Sequence, residues 1–288
     1  MILVEICGGL GNQMFQYACG KALALRNRDT LALDLQWYDT PGRRDFQLRH
    51  FKIQYAKCMD EGLLSLRKAW VCRCWYEKLF HRNRRLREKS PGYNAKVFNG
   101  QGNLYLQGYW QTEKYFFDCK EAIAQDFSLA EKLDERNKDW ADRIAASKNA
   151  VSIHIRRGDY VSIPANQQLF VELSSAYYQK SIERMQAMLG EINLFVFTND
   201  IPWAKDNLLF DVPMAFVDAN DEENGWKDMY LMSLCDHNII ANSTFSWWGA
   251  WLNKNRDKIV VAPRRWFKKD DLNHEDIIPN GWIAVPSF

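Results

Sequence analysis

Two adjacent arginines are of a residue type suited to binding a diphosphate. Arg156 and Arg157 belong to the segment HIRRGDY, residues 154–160, which directly follows an apolar run that predicts a buried strand. A planar guanidinium binds two phosphate oxygens at once and stabilises negative charge on a leaving group. His154 alternates with Arg156, so both are expected to face the same side, and Asp159 can pair with an arginine. A surface salt bridge is the alternative interpretation of this spacing.

A second polar segment, NSTFSWWG at residues 242–249, stands where a strand gives way to a helix. Its Ser and Thr hydroxyls are typical helix N-caps, and the same hydroxyls and first-turn N–H groups can bind phosphate. Trp247 and Trp248 favour packing. Asp228 lies one helix upstream, where a carboxylate could accept hydrogen bonds from the N1–H and amine of guanine. From the sequence alone, a solvated helical aspartate is the stronger interpretation.

A glycine turn, GGLGNQ at residues 8–13, lies between a predicted strand and a predicted helix. Such a turn lets backbone N–H groups approach a ligand at a helix N-terminus. The third glycine of a dinucleotide-binding fingerprint is replaced by Met14, and no Gly-Lys-Ser/Thr of a phosphate-binding P-loop follows. These departures speak against a Rossmann oxidoreductase, and a purely structural turn is nearly as good an interpretation as a ligand site.

Two series of alternating strands and helices would position these residues. The first opens with strand 2–7, helix 13–26 and strand 30–35, and a short strand at 105–110 ends it. A charged helix over 121–146 could connect the series. The pattern predicts two Rossmann-like halves with parallel sheets and a ligand cleft between them. The second series contains the elements 151–155, 177–189, 194–198, 214–217, 227–235, 238–241, 245–252 and 259–262.

Residues 59–90 have a different composition. The periodicity predicts a helix from Leu63 to Leu86, and nine Lys/Arg lie between Arg67 and Lys89. A solvated helical face with an aromatic inner stripe is one interpretation. The other is a basic patch, residues 67–89, that contacts an anionic membrane surface or a lipid-linked acceptor.

The composition is that of a globular protein. The 288 residues suit two modest domains, and the net charge of +2 is too small to indicate nucleic-acid binding. No stretch approaches the roughly 20 apolar residues of a membrane span, and the amino-terminal apolar run is too short for a signal peptide. The seven cysteines are scattered, as reduced thiols are. We therefore expect a cytoplasmic location. The second interpretation of the basic patch would add peripheral contact at the inner face of the plasma membrane.

Four segments together resemble a known family. They are GGLGNQMFQYA (residues 8–18), HIRRGDY (154–160), FTND (197–200) and NSTFSWWGAWL (242–252). In this order they resemble the motifs of the α-1,2-fucosyltransferases, glycosyltransferase family 11. They extend over nearly the whole chain, although residues 59–90 match no motif of the family.

The resemblance implies a GT-B-type α/β fold, with an acceptor-binding domain at 1–145 that carries the 59–90 insertion and a GDP-fucose-binding domain at 146–288. It implies inverting transfer of L-fucose from GDP-fucose without a metal or another cofactor. The sequence lacks a strand-linked D-x-D, and Asp270-Asp271 lies in a polar loop. The implied catalytic residues are Arg156, Asn12, His154 and Asp159. The implied donor-binding residues are Gly9, Gly11, Arg156, Arg157, Asp228, Asn242, Ser243, Thr244 and Phe245.

The acceptor that the resemblance implies is the 2-hydroxyl of a terminal galactose in an oligosaccharide or a lipid-linked glycan. Two alternatives stay open at this point: a fucosyltransferase of another linkage, either α-1,6 or protein O-fucosylation, and a sugar- or nucleotide-binding module without catalysis. No general base can be named, because Asn12 cannot remove a proton efficiently.

Overall fold

The computed structural model describes residues 1–58, 63–64, 83–157, 164–208, 210–269, 272 and 275–287. They form two compact units, Met1–Glu131 with Glu275–Ile277 and Lys132–His274 with Ile278–Phe288. The sequence put the domain boundary at 145/146. The structure instead puts the helix Glu135–Ala146 in the second unit, where Trp140 and Ile144 pack into a core shared with Phe195 of that unit's sheet.

The amino-terminal unit contains a four-stranded parallel sheet in the order β2-β1-β4-β3. Helix α1 connects β1 to β2 and packs tightly on the sheet: a Cβ at Gly20 would lie 2.3 Å from Val4 Cγ2. Only glycine permits this approach. The helices and strands of the unit are β1 Ile2–Glu5, α1 Leu10–Asn27, β2 Leu31–Asp34, β3 Asn83–Arg87, β4 Asn103–Gln107 and α2 Lys120–Asp126.

Strand β3 corrects the helix predicted over 63–86. Residues Asn83–Arg87 pair in parallel with β4, so that Arg85 lies opposite Tyr105. Arg84 and Arg87 can occupy a strand because β3 is an edge of this sheet among the described residues, where long charged side chains reach solvent. Residues 59–62 and 65–82, the rest of the predicted basic insertion, lie outside the described residues.

The carboxyl-terminal unit contains a six-stranded parallel sheet in the order β10-β9-β8-β5-β6-β7. Strand β5 is buried along its whole length near the middle of the sheet. The elements are α3 Glu135–Ala146, β5 Ala150–Ile155, α4 Pro164–Leu169, α5 Ser175–Leu189, β6 Asn193–Thr198, α6 Ile201–Asn207, β7 Met214–Phe216, α7 Gly225–Leu234, β8 His237–Ile239, α8 Thr244–Trp251, β9 Val260–Pro263 and β10 Ile283–Val285.

The helix predicted over 121–146 is interrupted. It divides into α2 and α3, because Asp134 caps α3 by accepting a hydrogen bond from the Asn137 N–H at 2.9 Å. Helix α6 has a similar cap, in which Asp200 Oδ1 accepts from the Trp203 N–H at 3.2 Å. The periodicity in the sequence gave no prediction for α4, α6 or β10, which span three to seven residues each.

Both units alternate parallel strands with helices, as the sequence predicts for Rossmann-like domains. In the part of the chain that the structure describes, no helix is long and apolar enough to cross a membrane. The predicted cleft between the domains and the role of each domain stay predictions.

Candidate functional site

The carboxyl end of β5 holds a neutral histidine beside a cation. His154 is buried, and its ring centroid lies 5.5 Å from that of Phe245. Burial, assisted by the charge of Arg156, lowers the pKa of His154 to about 3. The imidazole is therefore uncharged near neutral pH and cannot act as a general acid. It can pack beside a cationic group without adding to the repulsion.

Arg156 is anchored through its backbone. The hydroxyl of buried Tyr178 on α5 accepts a hydrogen bond from the Arg156 N–H, which fixes the chain where it leaves β5. The Arg156 side chain is partly buried at the carboxyl edge of the parallel sheet. Such edges are where open α/β sheets bind ligands. Asp159, predicted to orient an arginine from the same segment, lies outside the described residues.

Arg157 is held by the end of the neighbouring strand β6. Its N–H donates to Asn199 Oδ1 at 3.2 Å, and its Nε lies 3.7 Å from Asp200 Oδ2. The guanidinium carbon sits 3.7 Å from the centroid of the Trp203 ring, a cation–π distance. The FTND segment therefore positions Arg157, a function that the sequence did not reveal. The only signal in the sequence was that HIRRGDY and FTND both belong to the set of motifs that resembles the family.

The start of α8 meets the end of β5 through the contact between Phe245 and His154. Ser243 is the residue before the helix, and its hydroxyl makes no capping hydrogen bond, so the capping interpretation is wrong for this residue. The Ser243 hydroxyl thus does not cap α8, and a hydroxyl at a helix N-terminus suits an anion. Thr244 is partly buried in the first turn. Trp247 and Trp248 are fully buried, which confirms their packing role.

Asn242 has a structural contact network. Its amide nitrogen donates to the carbonyl oxygens of Val171 at 2.8 Å and Trp266 at 3.1 Å. These bonds tie the β8–α8 connection to two neighbouring loops. Its amide hydrogens are therefore engaged within the protein. A direct contact of Asn242 with the sugar-nucleotide donor would have to use its side-chain oxygen.

Asp228 lies on α7, whose first residue, Gly225, would place a Cβ 3.7 Å from the Phe245 ring. It is half-buried, which contradicts the solvated interpretation. Burial raises its pKa to about 7, with a further contribution from Asp221, while a 2.6 Å hydrogen bond from Asn220 opposes the shift. Asn137 in turn exchanges hydrogen bonds with Asn220. This amide network was not predictable from the sequence, because its members lie on separate elements.

The glycine turn belongs to the amino-terminal unit. Gly8 adopts φ +78°, and Gly9 precedes the first helical residue of α1. Gly11 is buried in the first turn of the helix, and the Asn12 side-chain oxygen accepts a hydrogen bond from Gln111 at 2.9 Å. The structure therefore groups His154, Arg156, Phe245 and Asp228 in one unit and Gly9, Gly11 and Asn12 in the other.

Gln13 and Gln16 are the residues of this turn that the sequence analysis overlooked. Both are fully buried. Gln13 donates to the carbonyls of Gly8 and Asp45 and accepts from the N–H groups of the chain segment 47–48. Gln16 links Cys7 to Gly108. Polar residues at buried helical positions were the available signal.

Among the described residues, no group of three or more His, Cys, Asp and Glu side chains has the arrangement of a metal site.

Comparison with known proteins decides the family. Residues 1–286 match the family described as Glycosyl transferase family 11. The chain belongs to glycosyl transferase family 11. The family resemblance seen in the four sequence motifs is thereby confirmed, and the protein is an enzyme, a glycosyltransferase. The interpretation as a binding module without catalysis is wrong.

Relatives extend over the full length of this family 11 chain. It is 35% identical to an Escherichia coli protein named alpha-1,2-colitosyltransferase, with 99% of each chain covered. It is also 35% identical to the E. coli O-antigen biosynthesis glycosyltransferase WbnK, over 97% of this chain and 99% of that protein. Galactoside alpha-(1,2)-fucosyltransferase 1 of Saimiri boliviensis boliviensis is 28% identical over 85% of this chain and 63% of its own length.

Solved structures confirm the fold class. Arabidopsis thaliana FUT1 in complex with GDP matches with a TM-score of 0.51 at 13% identity, over 92% of this chain and 70% of that one. NodZ alpha-1,6-fucosyltransferase soaked with GDP-fucose matches with a TM-score of 0.50 at 14% identity, over 87% and 91%. The family 11 chain thus has the GT-B-type α/β fold with two Rossmann-like domains. The functions of the individual site residues stay predictions.

Proposed function

We propose that this family 11 enzyme transfers L-fucose from GDP-fucose to the 2-hydroxyl of a terminal galactose, with inversion and without a metal. One observation carries the proposal: Arg156 at the end of β5 and the start of α8 after the neighbouring parallel strand β8 lie at the same sheet edge, where His154 contacts Phe245. A guanidinium opposite a helix N-terminus is a site for a diphosphate.

The donor-binding residues would divide the nucleotide among them. Arg156 would neutralise the diphosphate, with the Ser243 and Thr244 hydroxyls and the first-turn N–H groups of α8 on its other side. Asp228 would accept hydrogen bonds from the guanine edge, with Asn220 holding one of its carboxylate oxygens. Arg157 would contribute positive charge from a fixed position beside Asp200, without binding the phosphate oxygens directly.

The reaction would begin with stretching of the fucose–phosphate bond. Negative charge then develops on the departing GDP, and Arg156 stabilises it electrostatically. The acceptor hydroxyl would attack the opposite face of an oxocarbenium-like sugar and lose its proton late. Neutral His154 would keep the positive charge of the site concentrated on the arginine. Alignment of donor and acceptor would supply much of the remaining acceleration.

The names of relatives support the acceptor and the linkage. Several carry alpha-1,2 in their names, one of them as a galactoside fucosyltransferase and another as a colitosyltransferase. Transfer of colitose, which is L-fucose without its 3-hydroxyl, is therefore the second candidate function. A lipid-linked surface glycan is the proposed natural acceptor, in keeping with the relative named for O-antigen biosynthesis.

An acceptor screen with GDP-fucose in the presence of EDTA tests the proposal. We expect transfer to β-galactosides and an α-1,2 linkage by NMR of the product. GDP-colitose in competition would rank the two donors. Loss of all transfer in EDTA, restored by a divalent cation, would contradict the metal-free reaction. An α-1,6 product or transfer to protein hydroxyls would contradict the linkage.

Contact with an anionic membrane is part of the proposal for a cytoplasmic, peripheral location. The exposed Arg84 and Arg87 of β3 and the exposed Lys89 belong to the described part of the basic patch. We expect an Arg84→Ser/Arg87→Ser variant to bind anionic vesicles less tightly than the wild type, by about 1 kcal/mol per arginine. The matched control replaces the exposed Lys254 and Arg256 of the other unit. Equal binding by all three proteins would contradict membrane contact.

A further inference from the structure

An aromatic ring stands exposed at the carboxyl end of β4. Tyr109 is 48% exposed, although only Gly108 separates it from a strand whose central residues are buried. The next residue, Trp110, is 1% exposed and packs edge-on against Tyr115, with ring centroids 5.6 Å apart. The chain therefore turns one large aromatic inward and the neighbouring one outward.

The backbone of this loop is held in a strained conformation. Trp110 has φ +56°, in the left-handed region that side chains other than glycine rarely adopt. Gly108 cannot be replaced without movement, since a Cβ there would lie 2.4 Å from Glu88 Cβ. Strain of this kind persists only where neighbouring groups determine the conformation, and it is concentrated at functional sites.

Glu88 supplies the restraint. One carboxylate oxygen accepts from the Tyr109 N–H at 2.7 Å and the other from the Trp110 N–H at 3.2 Å. Burial raises the pKa of Glu88, and these two N–H donors oppose the rise. The carboxylate thus fixes both residues of the turn, and the direction of the Tyr109 side chain with them.

The loop adjoins the glycine turn of the same unit. Gln16 donates to the Gly108 carbonyl at 3.2 Å, and Gln111 donates to Asn12 at 2.9 Å. Burial raises the pKa of the Tyr109 hydroxyl, and the nearby Cys7 and acidic groups raise it further. The Tyr109 hydroxyl therefore lies near the end of β1, and Gln111, two residues further along the same loop, reaches the first turn of α1.

We propose that Tyr109 is the platform on which the galactose ring of the acceptor stacks, and that Glu88 is its positioning residue; this inference rests on the proposed function. The axial 4-hydroxyl of a β-galactoside leaves one face of the sugar apolar, and that face matches an exposed aromatic ring. The adjacent amides of Asn12 and Gln111 can hydrogen-bond the hydroxyls at the rim of the sugar. Glucose lacks this continuous apolar face, so the platform would also select the sugar.

Kinetics with a β-galactoside acceptor test the platform. We expect Tyr109→Ala to raise the acceptor KM by about 10-fold, the upper scale of an aromatic contact, while Tyr109→Phe stays within about 2-fold because the ring face is kept. The donor KM and the hydrolysis of GDP-fucose without acceptor should not change. Tyr55→Ala is the matched control, since Tyr55 is 45% exposed on the same unit.

Glu88 is tested through a double-mutant cycle. Glu88→Gln replaces one of the two acceptor oxygens by an NH2 donor, so the glutamine cannot bind the two N–H groups on separate oxygens as the carboxylate does. We expect it to raise the acceptor KM several-fold in the wild type and to add little in the Tyr109→Ala background, because it acts through that ring. Additive effects of the two substitutions would overturn the positioning role.

Saturation-transfer NMR separates this inference from the proposed function. The wild type without donor should saturate the apolar face of a β-galactoside, and Tyr109→Ala should not. If the wild type transfers fucose while Tyr109→Ala keeps its acceptor KM and its saturation pattern, the platform is wrong and the proposed function stands. If the wild type binds galactoside through Tyr109 but neither transfers nor hydrolyses GDP-fucose, the proposed function is wrong and the platform stands.

Discussion

Two strand ends in this molecule use polar residues in opposite ways. Near the end of β1, Gln13 is fully buried, and its side-chain amide forms hydrogen bonds with four backbone groups. At the end of β5, Arg156 is only partly buried at the sheet edge, and the neighbouring His154 is held neutral. Both residues belong to segments that resemble family motifs, yet one holds the chain in place and the other supplies charge.

The difference teaches how to divide a motif into structure and chemistry. A polar side chain whose hydrogen-bonding groups are used inside its own loop stabilises that loop, and its loss leaves buried groups unsatisfied. A charged side chain at the carboxyl edge of a parallel sheet lies where such sheets bind ligands. Substitutions at the first kind should lower stability, and substitutions at the second kind should lower activity.

The largest effect is expected at the β5 end. Arg156→Ala should lower kcat by at least about 100-fold, because it removes the main stabiliser of charge on the departing GDP. The free energy of unfolding should change little, since the side chain is partly exposed. Steady-state transfer assays and thermal unfolding measure the two quantities. Near-normal turnover by a folded Arg156→Ala protein would falsify the assignment.

The opposite result is expected at the β1 end. Gln13→Ala should lower the free energy of unfolding by about 2–3 kcal/mol, because it leaves buried carbonyl and N–H groups of the 8–13 and 45–48 segments without partners. Chemical denaturation measures the loss, and Gln101→Ala, in an exposed loop, is the control. A Gln13→Ala protein as stable as the wild type but inactive would reverse the comparison and make Gln13 a ligand-binding residue.

The sequence predicted the regular part of both units. Strands β1, β2, β5 and β6 and helices α1 and α5 were located within a few residues, because apolar periodicity follows from burial on one face or on both. The order of the strands in the sheets and the grouping of His154 with Phe245 depend on tertiary packing, which periodicity does not encode.

Several of the errors arise from neighbours on other elements. Strand β3 forms from a basic segment because β4 offers it a pairing edge, although its local composition favours a helix. Asp228 is half-buried because α7 packs beside residues from other elements, among them Asn220. Arg157 points to Trp203, which lies on α6, a helix for which the sequence gave no signal.

Asp228 provides a test of intermediate size. Because burial raises its pKa to about 7, the fraction of free enzyme with an ionised carboxylate falls about tenfold per pH unit below that value. About half of the carboxylates are ionised at pH 7, so if the carboxylate binds guanine the donor KM should rise about 5-fold as the pH falls from 7 to 6 and about tenfold more by pH 5. Asp228→Asn should raise the donor KM and remove this pH dependence. A wild-type donor KM that is flat between pH 5 and 8 would contradict the guanine contact.

The same residue should cost stability. The pKa of Asp228 is higher in the folded than in the unfolded protein, so the folded state binds more protons between about pH 4 and pH 7. Stability from this group is therefore present at low pH and lost as the pH rises to 7. Asp228→Asn should melt at a higher temperature than the wild type at pH 8 and at a similar temperature near pH 4. Such a gain in stability with weaker donor binding is expected only of a functional residue.

The smallest effect is expected at Arg157. Like Arg156 it lies at the carboxyl edge of the sheet, but like Gln13 its side chain is held by other residues of the protein. Its stacking on Trp203 and its ion pair with Asp200 predict a positioning role. Arg157→Lys keeps the charge but weakens the stacking, so kcat should fall by only about 2- to 5-fold, which corresponds to about 0.5–1 kcal/mol of cation–π energy. Arg143→Lys is the matched control, because Arg143 sits 3.8 Å from the centroid of Trp140. It should cost similar stability and no activity, whereas a loss at Arg157→Lys as large as at Arg156→Ala would make both arginines direct phosphate ligands.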